Sequence, residues 1–202
     1  MHDSFRASDG TTLEAEWSDA DSAVAGAVLC HPHPQYGGTM RSIVVSALFE
    51  ALPSAGVTCL RFNFRGVEGS SGAHDDGDGE QLDAAAAVAA LAERLDDTAP
   101  LVLMGWSFGA DIALSVTAPK IAGWLAIAPP LRCASPERAG RDSRPKRLVL
   151  AEHDEVRDAS EVQRVVTDWP ATIVEVIGGA SHFFVGRTDR VTAEALAFVA
   201  SV

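Results

Sequence analysis

Cysteine is scarce in this sequence: three thiols, Cys30, Cys59 and Cys133, are scattered over 202 residues with no C-x-x-C spacing. An odd, unclustered set argues against a disulfide framework, and Cys30 and Cys59, set in apolar runs, read as buried packing residues. Positive charge is also in short supply, with 16 Lys and Arg against 28 Asp and Glu and a net charge of -12. Binding along a phosphate backbone needs a basic surface, so a general nucleic-acid role is excluded. Residues 22–40 lack Asp, Glu, Lys and Arg for long enough to cross a bilayer, but His31, Pro32, His33, Pro34, Gln35 and three glycines interrupt them. That composition is no membrane helix. The start, Met-His-Asp-Ser-Phe-Arg, lacks a basic residue followed by an apolar segment, so no signal peptide is read and a soluble cytoplasmic protein is expected.

Hydrophobic residues make up 47% and charged residues 22%, an ordinary globular composition. With no internal repeat and no linker, residues 1–202 are expected to form a single domain. Apolar runs of strand length alternate with helical spacing. An edge hairpin is predicted over residues 4–17 around Asp9-Gly10, and buried strands over 23–30, 57–64, 101–105, 123–128, 147–151 and 172–177. Helices are predicted over 43–55, 80–95, 108–118, 158–168 and 192–202, with a glycine-rich loop over 65–79 and a turn at Gly178-Gly179. Such alternation implies right-handed crossovers: a doubly wound, mostly parallel α/β sheet with helices on both faces and no large cap domain.

The chemistry centres on Leu101-Val-Leu-Met-Gly105-Trp-Ser107-Phe-Gly109. A strand, a sharp G-x-S-x-G turn and a helix would hold Ser107 in a strained conformation with its hydroxyl above the sheet edge. Side chains at Gly105 and Gly109 would collide with neighbouring backbone, and the helix amino terminus would face a developing oxyanion. A serine hydroxyl is a poor nucleophile without a histidine to take its proton and a carboxylate to orient that histidine. His182, in the loop after the last strand, is the candidate base. Asp154, at the end of the strand over 147–151, is the candidate acid, with Glu152 and Asp158 as rivals. The chain order Ser, Asp, His suits a site at the carboxyl ends of parallel strands.

An oxyanion hole needs two N–H donors. Phe108 supplies one by position; the loop after residue 30 should supply the other, and since Pro32 and Pro34 have no N–H, His33 is the residue between them that can. The alternative, His31 and His33 as metal ligands, lacks a third ligand nearby. Trp106 and Phe108 line an acyl pocket or pack the core. Asp75-Asp-Gly-Asp78-Gly-Glu80 has the look of a calcium-loop fragment but lacks the spacing, and caps the next helix instead. Arg132, Arg138, Arg141, Arg144, Lys146 and Arg147 face only Glu137 and Asp142. This segment is either a solvated loop or a positive patch drawing an anionic substrate to the mouth, with Arg138, Arg141 and Arg144 in that role.

With Cys30-His-Pro-His-Pro-Gln-Tyr-Gly-Gly-Thr-Met40, Arg61-Phe-Asn-Phe-Arg-Gly66 and Gly105-Trp-Ser-Phe-Gly109, nearly the whole chain resembles the α/β-hydrolase superfamily. More narrowly, it resembles small, lidless bacterial members related to dienelactone hydrolases. The resemblance implies Ser107, Asp154 and His182 as a triad and serine-esterase-like activity on small acyl substrates, with no cofactor and no metal. Dienelactone hydrolases proper carry a cysteine at the elbow where this chain has Ser107, so their lactone substrate is not carried over. The expected reaction is hydrolysis of carboxylic esters, thioesters being a second class, through an acyl-enzyme. A non-catalytic binding module on the same fold, and a peptidase or amidase, are the rival readings.

Overall fold

The structure, a computed structural model, describes residues 3–202; Met1 and His2, where the segment read for a signal peptide begins, lie outside the described residues. Eight strands form one sheet: β1 (Asp3–Arg6), β2 (Thr12–Ser18), β3 (Ala25–Cys30), β4 (Val57–Phe62), β5 (Leu101–Trp106), β6 (Ile121–Ile127), β7 (Lys146–His153) and β8 (Thr172–Ser181). Their spatial order is β1-β2-β4-β3-β5-β6-β7-β8. The first two strands form the expected antiparallel hairpin, and β2 meets β4 antiparallel. From β4 to β8 every pairing is parallel.

Among the described residues, six α-helices connect and cover the strands: α1 (Ile43–Ala51), α2 (Asp78–Ala92), α3 (Phe108–Ser115), α4 (Glu137–Gly140), α5 (Ala159–Val166) and α6 (Thr188–Val199). Successive residues of a strand face opposite sides, so each central strand feeds two cores. Leu101 and Leu103 of β5 join one core with Val88 and Leu91 of α2 and Ile112 of α3. Val102, Met104 and Trp106 join the other with Val44 and Leu48 of α1 and Phe198 of α6. This is the doubly wound arrangement predicted. Among the described residues no helix is long and apolar enough to cross a membrane.

Several boundaries move for identifiable reasons. The helix predicted over 43–55 ends at Ala51 and tightens into a 3-10 turn, Leu52–Ala55, where Pro53 offers no N–H to continue it. Helix α2 starts at Asp78, two residues early, because the buried Glu80 carboxylate accepts the Gly77 N–H (2.9 Å) and so ties off the helix start. The Gly178-Gly179 turn is a correction. The strand does not turn there but continues to Ser181, with Ala151 opposite Ile177 and His153 opposite Ser181. Three residues of β8 thus face only Glu152, an excess of two taken up as a bulge, and Gly179 adopts φ +67° while its N–H bonds the Glu152 carboxylate (2.7 Å).

Candidate active site

Ser107 sits between β5 and α3 with φ 55° and ψ -123°, a backbone state that an L-residue holds only under constraint. The constraints are visible. Its N–H donates to Ile127 O on the neighbouring strand (2.8 Å), and its C=O accepts from Ala110 N–H (2.8 Å). A Cβ at Gly105 would lie 2.1 Å from Gly109 O, and one at Gly109 2.4 Å from the carbonyl oxygens of both Cys30 and His31. Glycine at these two positions therefore lets α3 close against β5 and the end of β3.

His182 and Asp154 meet Ser107 from the ends of β8 and β7. His182 Nδ1 lies 2.9 Å from both Asp154 carboxylate oxygens, and Nε2 lies 2.9 Å from Ser107 Oγ. The carboxylate fixes the ring proton on Nδ1, leaving Nε2 to accept from the serine hydroxyl. The His182 and Asp154 side chains are each 5% exposed, so the contact is held largely away from water. Asp154 is itself anchored, accepting N–H groups from Val156 (2.9 Å) and Arg157 (3.1 Å). The rival carboxylates are engaged elsewhere: Glu152 on Gly179, and Asp158 capping α5 through Ser160 N–H (2.8 Å).

A cleft of about 470 Å³ opens over Ser107, and both Phe108 and His33 line it. The Phe108 N–H, first in α3, has no intrahelical acceptor by position. The His33 ring packs on that of Phe108 at 4.8 Å. Burial lowers the His33 pKa, favouring the neutral ring. His31 serves structure: fully buried, its Nδ1–H donates to Pro32 O (2.6 Å) and its Nε2 accepts Phe64 N–H (3.0 Å). Both ring nitrogens are occupied, and burial pulls its pKa to about 4, so it offers no lone pair to a metal.

A family model for the alpha/beta hydrolase fold matches residues 28–136. An uncharacterised protein of Rickettsia prowazekii (strain Madrid E) is 33% identical over 190 residues, 88% of this chain and 80% of that one. This chain belongs to the α/β-hydrolase fold family. Among solved structures, an alpha-beta serine hydrolase homologue from Coxiella burnetii matches with a TM-score of 0.85 and 33% identity, over 97% of this chain and 95% of that one. A lidless α/β serine hydrolase from Xanthomonas campestris matches with a TM-score of 0.82 and 28% identity, over 98% and 92%.

Within this hydrolase fold, three supporting side chains, Glu155, His74 and Asp111, escaped the sequence reading, and Trp106, read there as pocket wall or core, takes a supporting role as well. Glu155 accepts the peptide N–H of His182 (2.9 Å), and Trp106, which lines the cleft, donates its Nε1–H to His182 O (3.1 Å). His74 packs its ring against His33 (5.0 Å) and Phe108 (5.5 Å), and the buried Glu80 carboxylate takes its Nδ1 (2.7 Å). Asp111 of α3, fully buried, accepts the N–H groups of Leu131 (2.8 Å), Arg132 (2.8 Å) and Cys133 (3.0 Å). Desolvation raises its pKa to about 6. The only sequence signal for Glu155 was its place beside Asp154; the other contacts join distant segments.

Of the two readings of the basic segment, the positive patch at the mouth finds no support in the cleft wall, which Arg138, Arg141 and Arg144 do not line. A parallel connection must carry the chain from the carboxyl end of β6 to the amino end of β7, the edge opposite Ser107. Arg144 ends there, bonded to Asp142 and to Ala118 O and Ile121 O, with Lys146 and the Arg147–Glu194 pair alongside. Arg138 reaches Gln81 (3.3 Å). Of the six cations, Arg132 alone lines the cleft.

Proposed function

We propose that this chain hydrolyses carboxylic esters through an acyl-enzyme, with thioesters as a second class. The observation that carries the reading is the continuous line Ser107 Oγ, His182 Nε2, His182 Nδ1, Asp154, at 2.9 Å for each contact. Ser107 attacks the ester carbonyl as His182 takes its proton, and Asp154 stabilises the imidazolium that results. The N–H groups of Phe108 and His33 receive the oxyanion. His182 then protonates the departing alkoxide, the acyl group remains on Ser107, and water activated by the same ring releases the acid. No cofactor enters this sequence. The open, largely apolar cleft suits small acyl groups, and Trp106 and Phe108 form part of its wall. A cytoplasmic location belongs to the same reading, supported by three free thiols.

The test is intact mass after exposure to a fluorophosphonate, with Ser107→Ala as control. One adduct is expected on the parent and none on the variant, and turnover of aryl esters should fall by roughly 10⁴- to 10⁶-fold in the variant. A folded parent that takes no label would sink the catalytic reading in favour of a binding module.

A further inference from the structure

Arg132 is the one Arg, Lys, Asp or Glu lining the cleft among the described residues, and its guanidinium makes no hydrogen bond or ion pair with any of them. Its neighbours in the cleft include Tyr36, Pro130, Val156 and Phe183, which present apolar surface. An unpaired cation over an apolar cleft recognises a ligand with an apolar body and an anionic end.

The loop that carries Arg132 is held at considerable cost. Ala128, Leu131 and Ala134 all adopt positive φ, at 44°, 51° and 56°. Strain of this kind persists only where the surroundings over-determine it, and here they do. Asp111 accepts three consecutive N–H groups from Leu131, Arg132 and Cys133, while Arg157 donates to Pro130 O and Leu131 O. A buried carboxylate is thus spent on fixing the backbone of Arg132, and its hydrogen bonds go to that loop and not to the Ser107 or His182 side chain. The chain as a whole, at net -12, repels anions, but salt screens that field within about 8 Å, so the nearest unpaired charge decides at the mouth.

We propose that the cleft selects esters that carry a second, uncleaved carboxylate beyond an apolar spacer, such as monoesters of dicarboxylic acids, and that Arg132 is the residue that reads this carboxylate. The proposal rests on the ester-hydrolase reading and narrows its substrate class. A charge-assisted hydrogen bond of this kind corresponds to about 10- to 100-fold in affinity.

The experiment compares monophenyl adipate and suberate with the corresponding phenyl esters ending in a neutral methylamide, at about 0.15 M salt, where the field of the chain's net charge is screened. The parent should favour the acid-ended esters in kcat/KM by at least about tenfold. Arg132→Gln should collapse that ratio, Arg132→Lys keep part of it, Arg132→Glu invert it, and Arg141→Gln, on an exposed residue outside the cleft, leave it intact. No preference in the parent, or a ratio that survives Arg132→Gln, overturns the proposal. Calorimetric binding of adipic acid monoanilide against its methylamide separates this result from failure of the esterase reading. Tighter binding of the acid by the parent, lost in Arg132→Gln, upholds the recognition even if no ester turns over; equal binding of the two ligands rejects it.

Discussion

The Glu155 carboxylate accepts the peptide N–H of His182 at 2.9 Å, next to the Asp154 carboxylate that holds the same residue's ring. Two consecutive acids thus fix one histidine, the first by its side chain and the second by its backbone, while Trp106 Nε1–H secures the carbonyl at 3.1 Å. The His182 N–H is also what draws the Glu155 pKa below its ordinary value, so the carboxylate persists into mild acid. Glu155→Ala should lower kcat by roughly tenfold with little change in KM, since a misplaced base affects the chemical step rather than binding. Glu155→Gln keeps an acceptor oxygen and should recover most of that loss. Equal defects in the two variants, by steady-state kinetics, would show that charge and not positioning matters.

His31 and Asp111 should pull acid stability in opposite directions. The folded pKa of His31 is depressed to about 4 from 6.5, so as pH falls the unfolded chain takes up its proton first, and stability drains between pH 6.5 and 4. The folded pKa of Asp111 is raised to about 6 from 3.8, so the native state takes up its proton first and gains stability between pH 6 and 3.8. Each effect reaches about 3 kcal/mol at its limit. Asp111→Asn removes the compensating one. Between pH 7 and 4.5, urea unfolding should show this variant losing about 2 kcal/mol more than the parent. Parallel losses in the two proteins would refute the assignment.

Gly109→Ala should be far more damaging than Gly37→Ala, although both replace a glycine near the site. At Gly109 the new methyl meets two backbone carbonyl oxygens at 2.4 Å, which cannot rotate away. At Gly37 nothing lies within 4 Å, and the cost is that of φ +80°, about 1 kcal/mol. Thermal unfolding and fluorophosphonate labelling should both fail or fall sharply for Gly109→Ala, while Gly37→Ala keeps its label. A Gly109→Ala protein with parental stability and labelling would contradict the contact.

The parts of the site legible in the sequence are those governed by local rules. Gly105, Ser107 and Gly109 define a strand–turn–helix within five residues, and the prolines around His33 leave one N–H between them. Asp154 and His182 could be placed because parallel strands end on one edge. Gly178-Gly179 misled because a glycine pair reads as a turn when the neighbouring strand is unseen; pairing with β7 carries the strand on to Ser181. The basic segment misled for a similar reason. Its charge is contiguous in sequence, yet the chain must cross the width of the sheet between Arg132 and Lys146. Asp111 could not have been singled out at all, because its three partners lie some twenty residues downstream.

The bulge in β8 amounts to a spacer of fixed length. Were the same ten residues laid flat, with Gly179 in place of Ser181 opposite His153, Ser181 and the histidine after it would run two residues, roughly 6.6 Å, further along the sheet. His182 would then overshoot the imidazole's present place beside Ser107, with the sheet itself undisturbed. Strand pairing and the reach of this histidine are therefore separable in this molecule: the slack held in the bulge, and not the pairing on either side of it, sets where the ring arrives.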